Sequence, residues 1–329
     1  MEELEKFILD PDHFSPVGYI SDDNPIIQIV KHKNTYKRYV KKIFTFDDKN
    51  PIQYFLREVL VLSHANIKGF PFSPFYGFNY LDHNGESFIL TKYLENGSLF
   101  KVLEETKELT NTEKMIIFYG VAFGLEYLHS TQHTIHRDIK PGNIFLDEDM
   151  KPFIGDFGFA RIIKENIKLT KNIGTKFYMA PELFEESNEN YDYSVDSYSY
   201  AITVLHVLTK DLTLIDSQGN IISDDDDDIG QYIINGCRFS QIDDLSVKPD
   251  KLLFKKFIED CWSSDTEKRW PMKRILDEMR NKKLFLQDCE IDKFDNYVKE
   301  LDEALNRHKQ EEEEEEKEEE EEEEEEKVK

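Results

Sequence analysis

Cysteine is scarce in this chain. Its 329 residues include only Cys237, Cys261 and Cys289, and no two of them stand in a CxxC pair. A disulfide framework or a cysteine-ligated metal site therefore has little support. Free thiols fit a reducing compartment, so the sequence predicts an intracellular, cytoplasmic protein.

Long apolar segments are also missing. A helix that crosses a bilayer needs about 18 or more apolar residues in a row, and no such run occurs. The best candidate, AITVLHVLT at 201–209, is too short and is better explained as a buried core helix. The acidic N-terminus MEELEKFILDP has no long apolar segment. We therefore expect neither a signal peptide nor a membrane span.

Positive charge is in deficit. The chain has 42 Lys and Arg against 68 Asp and Glu, a formal net charge of −26. Fifteen glutamates and three lysines at 311–329 contribute −12 of this, and Asp224–Asp228 contributes five more negative charges. An acidic body repels phosphate backbones, so no nucleic-acid partner is expected.

The hydrophobic pattern changes along the chain. Hydrophobic residues make up 39% of it and aromatic residues 13%, enough for a large core. Strands are predicted at 25–30, 38–44 and 86–94, and helices at 52–68 and 113–129. Helices and loops alternate from about residue 191. A β-rich first third before a helical remainder predicts an α+β protein with two lobes and a cleft.

The C-terminal end has two parts. Residues 288–310 carry Phe294, Val298, Leu301 and Leu305 at helical spacing. The glutamate run at 311–329 is predicted to be disordered, because like charges four residues apart repel in a helix. It is either a solubilising extension or a docking site for a basic partner. The aspartate run is predicted to be an exposed loop.

The stretch 136–158, HRDIKPGNIFLDEDMKPFIGDFG, has charged residues on both sides of a short apolar run, Ile144 to Leu146. Transfer of a phosphoryl group needs a carboxylate to accept a hydroxyl proton, a cation beside the phosphate, and metal ligands. Asp138 can supply the carboxylate and Lys140 the cation. Asn143 and Asp156 offer hard oxygen ligands suited to Mg²⁺.

These motifs resemble the catalytic loop and the metal-binding loop of the eukaryotic protein kinase family. HRD-x-K-x-x-N followed by DFG is a specific pattern, and the hinge-like YLENGSL resembles the tyrosine-kinase-like group of Ser/Thr kinases. Other motifs follow in the family's order: GTKFYMAPE at 174–182, VDSYSYAI at 195–202 and CWSSDTEKRW at 261–270. The resemblance covers roughly residues 14–287 and implies a two-lobed protein kinase fold.

The resemblance implies roles for particular residues, with ATP and Mg²⁺ in the cleft. Asp138, Lys140 and Asn143 would be catalytic, and Asn143 and Asp156 would bind the metal. Glu58 would pair with the lysine that binds the phosphates. The nucleotide would also contact a set of residues around adenine: Val40, Thr91, Lys92, Leu94 and Phe145.

Two registers are open for the phosphate-binding lysine. The pattern YVKK aligns best with Val40 against adenine and Lys42 at the phosphates. The neighbouring register makes Lys41 the lysine and brings Tyr39 into the adenine pocket. Strand alternation allows only one of the two lysines to face the cleft, and the size of Tyr39 favours Lys42.

Several other motif residues are expected to be structural. Asp196 would brace the catalytic loop, and Arg269 would form a buried ion pair with Glu182. His136 is interpreted as a packing residue. Tyr198 and Tyr200 stand where Trp and Gly are usual in the family.

The glycine-rich loop of the family is missing. The matching positions, Ile20, Asp22 and Pro25 in ISDDNP, contain no glycine, and proline has no N–H to offer a phosphate. Asp22 and Asp23 bring negative charge towards a negative ligand. Weak, strongly Mg²⁺-dependent ATP binding is therefore predicted, and a pseudokinase that serves as a scaffold is the alternative function.

The favoured function is transfer of the γ-phosphoryl group of ATP to Ser or Thr of a protein substrate. Lys140 and Thr175 resemble the pattern of Ser/Thr-directed kinases, and the complete APE motif argues against a small-molecule kinase. Thr170, gripped by Arg137 once phosphorylated, is a candidate switch. The implied organisation is an N-terminal extension at 1–13, an N-lobe at 14–94, a C-lobe at 95–287, a helical extension at 288–310 and a disordered glutamate tail at 311–329.

Overall fold

The structure is a computed structural model. It describes residues 2–20, 26–46, 52–81, 85–105, 108–163, 175–184, 191–210, 212–216, 218–222, 228–239 and 251–328. Three of the predictions above concern residues outside these ranges: the glycine-loop positions Asp22, Asp23 and Pro25, the switch at Thr170, and the aspartate loop up to residue 227.

A five-stranded antiparallel sheet forms the first lobe. Its strands follow the predicted β-branched and aromatic runs, and their spatial order is β1-β2-β3-β5-β4. They are β1 (Phe14–Tyr19), β2 (Ile27–His32), β3 (Arg38–Phe44), β4 (Phe75–Asn79) and β5 (Ser87–Lys92). The three predicted strands are therefore confirmed, one at its predicted bounds and two with ends shifted by one or two residues.

Strand β3 presents alternate residues to the two faces of the sheet. Val40 lies opposite Thr91 of β5, and Lys42, two residues on, shares this face. Lys41 belongs to the other face. A small hydrophobic cluster is buried there: Val30, Tyr39, Phe88 and Leu90. The register thus separates the two candidate lysines.

Helix α2 (Ile52–His64) carries the predicted apolar stripe. Phe55, Val59 and Leu62 are all buried, and Glu58 is buried among them with 3% of its surface exposed. The helix ends at residue 64, four residues earlier than predicted. Residues 65–74, here called the α2–β4 loop, then run against the second lobe.

The second lobe is built around helix α4 (Asn111–Ser130), which is buried along most of its length. A capping box between Thr110 and Glu113 begins this helix. The neighbouring helices are α3 (Leu99–Glu104), α5 (Ser194–Thr209), α6 (Ile229–Ile234), α7 (Lys251–Cys261) and α8 (Met272–Arg280). The segment 201–209 lies in α5 and is largely buried, as predicted. Among the described residues, no helix is long and apolar enough to cross a membrane.

Short strands join the functional loops of the second lobe. One three-stranded sheet has the order β6-β8-β9, and β7 pairs with β10. The pairing brings the loop after β7 beside the loop after β9. The strands are β6 (Gly97–Ser98), β7 (Thr134–Ile135), β8 (Ile144–Leu146), β9 (Pro152–Ile154), β10 (Arg161–Ile162), β11 (Leu214–Ile215) and β12 (Arg238–Phe239).

The N-terminal residues pack on the first lobe. A short helix α1 (Glu2–Glu5) precedes Ile8, which forms a parallel bridge to Phe78 of β4. The ring of Phe7 lies 5.0 Å from that of Phe75. The segment predicted as an extension therefore covers the edge of the sheet at β4.

The C-terminal end differs from the prediction. Helix α9 (Ile291–Val328) begins three residues later than expected and continues into the glutamate run as far as residue 328, where the sequence predicts disorder. Lengthening a formed helix adds one hydrogen bond per residue and requires no new nucleus. Glutamate is also a good helix former, and repulsion between neighbouring charges costs only a few tenths of a kcal/mol per pair.

Candidate active site

Lys42 lies at the centre of a partly buried charge cluster in the cleft. Its Nζ donates to Glu58 Oε1 and Oε2 at 3.0 and 2.8 Å and to Asp156 Oδ1 at 2.8 Å. Lys41 does not join this cluster, because it belongs to the opposite face and pairs with Glu86 at 3.1 Å. The structure thus brings together Lys42, Glu58 and Asp156, the set that the favoured register predicts.

The electrostatics of this cluster follow from one ammonium shared between two carboxylates. Burial raises the pKa of Glu58 to about 7, and the charge of Lys42 offsets only part of this. For Asp156, burial acts in the same direction, but the Lys42 charge and hydrogen bond outweigh it and lower the pKa. Burial alone would lower the pKa of Lys42, and the two carboxylates raise it instead.

Asp138 accepts hydrogen bonds on both carboxylate oxygens. Lys140 Nζ donates to Oδ2 at 2.8 Å and Asn143 Nδ2 donates to the same oxygen at 2.7 Å. The backbone N–H of Thr175 donates to Oδ1 at 3.1 Å. Lys140 Nζ also donates to Thr175 Oγ1 at 2.6 Å. The start of the described APE segment is therefore tied directly to the catalytic loop.

Asp196 of α5 braces the loop that carries Asp138, as the sequence indicates. Its carboxylate accepts the backbone N–H groups of His136 and Arg137, both at 2.8 Å. His129 Nε2 lies 2.8 Å from Oδ2 of the same carboxylate. Burial would raise the pKa of Asp196, but the His129 hydrogen bond and the neighbouring histidine charges lower it. Sequence reasoning missed His129, which belongs to no motif.

His136 packs in the core, as expected. It is fully buried, its ring lies 5.0 Å from that of Phe157, and its Nε2 lies 3.2 Å from the Gly155 carbonyl oxygen. Burial lowers its pKa, so the neutral imidazole is favoured. Phe157 also contacts Phe72 of the α2–β4 loop at 6.1 Å. These tilted and edge-on ring contacts connect the second lobe to the α2–β4 loop.

Asn143 and Asp156 fit a divalent cation by their donor atoms. The Asn143 side-chain nitrogen is committed to Asp138, so the amide oxygen is the atom that can act as a ligand. The Gly155 N–H donates to the Asn143 carbonyl at 2.9 Å, which keeps the two loops together. Asp156 has a left-handed backbone, with φ of 60°, and its side chain is 36% exposed. Side-chain oxygen donors of these two kinds suit Mg²⁺.

Most of the residues expected around adenine lie on β3, β5 and β8, and Leu94 follows the end of β5. Val40 and Thr91 share one sheet face and are half-buried, and Phe145 of β8 is half-buried as well. The N–H of Lys92 donates to the Pro74 carbonyl at 2.9 Å. Leu94 is buried, and its carbonyl accepts the N–H of Gly97 at 3.1 Å.

Two further arginines are held by the second lobe. Arg269 forms a bidentate pair with Glu182, at 2.5 and 2.8 Å, in the buried position that the sequence indicates. Arg137 donates to the Phe159 carbonyl at 2.5 Å and to the Tyr191 hydroxyl at 2.6 Å. Tyr191 was not recognised from the sequence, because no pattern joins it to residue 137.

Comparison with known proteins agrees with this arrangement. The model of the protein kinase domain matches residues 26–279. Mouse serine/threonine-protein kinase TNNI3K is 36% identical over 180 residues, 54% of this chain and 21% of that protein. Two Arabidopsis thaliana proteins are also similar. The leucine-rich repeat receptor-like protein kinase PEPR2 is 28% identical over 221 residues, and mitogen-activated protein kinase kinase 3 is 26% identical over 261 residues.

The matches with the two plant proteins cover 61% and 78% of this chain, and 20% and 46% of those proteins. The chain thus spans less than half the length of these curated relatives. The family model, in contrast, covers most of the chain, including both lobes and the site between them. The predicted two-lobed α+β fold is confirmed, and the chain belongs to the protein kinase domain family.

Proposed function

We propose that the chain is an ATP-dependent protein kinase that phosphorylates Ser or Thr hydroxyls of proteins. The observation that carries the proposal is the environment of Asp138, whose carboxylate is oriented by Lys140, Asn143 and the Thr175 N–H. These donors fix the orientation of the buried carboxylate, which can accept a hydrogen bond from a substrate hydroxyl.

In the proposed reaction, the hydroxyl oxygen attacks the γ-phosphorus of ATP. The bond between that phosphorus and the bridging oxygen breaks, ADP leaves, and the hydroxyl proton passes to Asp138. Lys140, 2.8 Å from Asp138, can neutralise charge on the transferred group. Asp138 chiefly orients the hydroxyl and receives the proton late in the reaction.

The nucleotide would be held from the first lobe. Lys42 is positioned by Glu58 to contact the phosphates, and the strands with Val40 and Thr91 form a surface for adenine. Asn143 and Asp156 would bind Mg²⁺, which screens phosphate charge when bound. The predicted placement of ISDDNP over the phosphates, and the weak metal-dependent ATP binding that follows from it, stay predictions.

Preference for Ser and Thr is supported by the bond from Lys140 to Thr175 Oγ1. It places both residues beside Asp138, where a short aliphatic hydroxyl has to reach. The relatives TNNI3K and mitogen-activated protein kinase kinase 3 carry kinase names that agree with this class. A pseudokinase has less support, because the ion pairs of Lys42 are complete.

Partners and location follow from the same proposal. The substrate is a protein with an accessible Ser or Thr, and a basic partner for the glutamate run is retained as a proposal. All three cysteines are free, which supports a reducing, cytoplasmic compartment.

The test is the variant Asp138→Asn, which keeps the shape of the side chain and removes the proton acceptor. We expect a generic Ser/Thr protein substrate to be phosphorylated more slowly by a factor of roughly 10² or more, with ATP binding largely unchanged. Asp149→Asn, at an exposed position in the β8–β9 turn, is the matched control and should retain wild-type activity. Wild-type rates from Asp138→Asn would reject the assignment.

A further inference from the structure

Helix α9 lies beyond the residues that match the kinase family. One side of its first half is nevertheless buried against the second lobe. Phe294, Tyr297, Leu301 and Ala304 are each exposed by 5% or less. Their spacing of three and four residues makes one continuous stripe. The first half of α9 is therefore a packed part of the domain.

On both sides of this stripe, α9 forms ion pairs with residues of the second lobe. Arg280 of α8 forms a bidentate pair with Asp302, at 3.0 and 2.6 Å. Lys151, in the β8–β9 turn, contacts Glu300 at 2.6 Å. The helix axis is thus fixed relative to α8 and the β8–β9 hairpin before the helix reaches residue 304.

Beyond these anchors, α9 contacts the α2–β4 loop. A Cβ placed on Gly69 would lie 3.1 Å from the Ala304 Cβ and 3.7 Å from Arg307 Nη2. The His308 ring lies 6.1 Å from the Phe70 ring, and its Nε2 is hydrogen-bonded to the Tyr127 hydroxyl at 3.0 Å. The approach at Gly69 is close because neither residue 69 nor residue 304 has a larger side chain.

The α2–β4 loop is fixed at both ends by different elements. Downstream, Pro71 and Ser73 exchange backbone hydrogen bonds with Ile154 of β9, both at 2.8 Å. Upstream, the turn 67–70 follows the end of α2 within three residues. The contacts of α9 fall on this upstream turn, which lies between the Ile154 bridge and the helix that carries Glu58.

We propose that α9 is a positioning element for Glu58. By holding the turn 67–70 against the second lobe, it fixes the end of α2 and so the carboxylate that pairs with Lys42. Glu58 lies about two turns before the end of α2, so a displacement of the turn moves its carboxylate with the helix. Removal of this support loosens α2 while the rest of the second lobe stays packed.

The proposal deepens the kinase function, and it rests on that function only for its effect on turnover. The position of α2 can be measured without turnover, by hydrogen exchange of its backbone amides followed by mass spectrometry. Local opening of one element raises exchange in that element and leaves other elements unchanged. A purely structural role of α9 would instead affect its neighbours α4 and α8.

The test uses the full chain with Ala304→Leu, which adds volume where Gly69 approaches. Asn306→Leu, at an exposed position of the same helix, is the matched control. We expect amides of residues 52–64 to exchange about 3-fold to 10-fold faster in Ala304→Leu, with α4 and α8 unchanged. The kcat/KM for ATP should fall by about 5-fold or more. Asn306→Leu should match wild type in both measurements.

His308→Ala removes the bond to Tyr127 without adding volume, and it replaces Ala304→Leu should that variant fail to fold. Wild-type exchange of α2 in a folded Ala304→Leu or His308→Ala protein overturns the role of α9, even where the kinase reaction proceeds. Faster exchange of α2 in a chain that transfers no phosphate supports the role of α9 and rejects the kinase function.

Discussion

The substitution Glu58→Gln removes one negative charge from the Lys42 cluster and keeps the size of the side chain. The glutamine side chain has nearly the same size, so α2 keeps its packing, but Lys42 loses a carboxylate that it contacts at 2.8 and 3.0 Å. Hydrogen bonds to charged groups contribute about 1.5–3 kcal/mol, which corresponds to roughly a 10-fold to 100-fold loss of kcat/KM for ATP.

The dependence on pH supplies a second, independent signature. Glu58 has a pKa of about 7, so the carboxylate that pairs with Lys42 forms as the pH rises through 7. Wild-type kcat/KM should therefore increase between about pH 6 and 8, and this limb should be absent in Glu58→Gln. The free energy of unfolding changes in the opposite direction. It falls as the pH rises towards about 7, because the unfolded chain releases the Glu58 proton at a lower pH than the folded protein does.

Steady-state kinetics at several pH values, with thermal unfolding measured alongside, check these statements. Glu86→Gln is the matched control, because Glu86 pairs with Lys41 on the opposite face of the sheet. It should show wild-type kinetics and the wild-type pH profile. An unchanged pH profile in Glu58→Gln, or equal losses in both variants, would refute the reasoning about this cluster.

Two further predictions concern the second lobe. Arg269→Ala leaves Glu182 buried without its partner, so it should lower the free energy of unfolding by about 3–5 kcal/mol. Lys268→Ala, at the exposed neighbouring position, is the control and should change the free energy of unfolding little. Equal melting curves for these two variants would count against a structural ion pair. Thr175→Ala removes the hydroxyl that Lys140 contacts at 2.6 Å and should lower kcat by roughly 10-fold. Thr175→Ser keeps a hydroxyl and should restore kcat. Equal kcat values for the alanine and serine variants would contradict a role for this hydroxyl.

Local patterns predicted much of the fold and the main site residues. The strands, the α2 stripe and the loop with Asp138 follow from alternation, helical spacing and a dense motif, all of which lie within short stretches of chain. Alternation along β3 allows only one of Lys41 and Lys42 to face the cleft, and the size of Tyr39 favoured Lys42. The pairing of Val40 with Thr91 agrees with that register.

Contacts between distant segments could not be predicted in the same way. His129 and Asp196 are 67 residues apart, and Arg137 and Tyr191 are 54 apart; no periodic pattern links either pair. The contact of Ala304 with the α2–β4 loop depends on how α9 packs across α4, and these two helices are far apart in the sequence. The glutamate run was judged from charge repulsion alone, without the helix that precedes it and serves as its nucleus.

The most direct test of the kinase assignment is the identity of the phosphorylated residue. The purified protein is incubated with γ-labelled ATP, Mg²⁺ and a generic protein substrate, and the labelled amino acids are separated after acid hydrolysis, with Asp138→Asn in parallel. We expect label on phosphoserine or phosphothreonine from wild type, dependent on Mg²⁺ and lost with Asp138→Asn. Absence of label with intact protein, or equal label from Asp138→Asn, would contradict the proposed function.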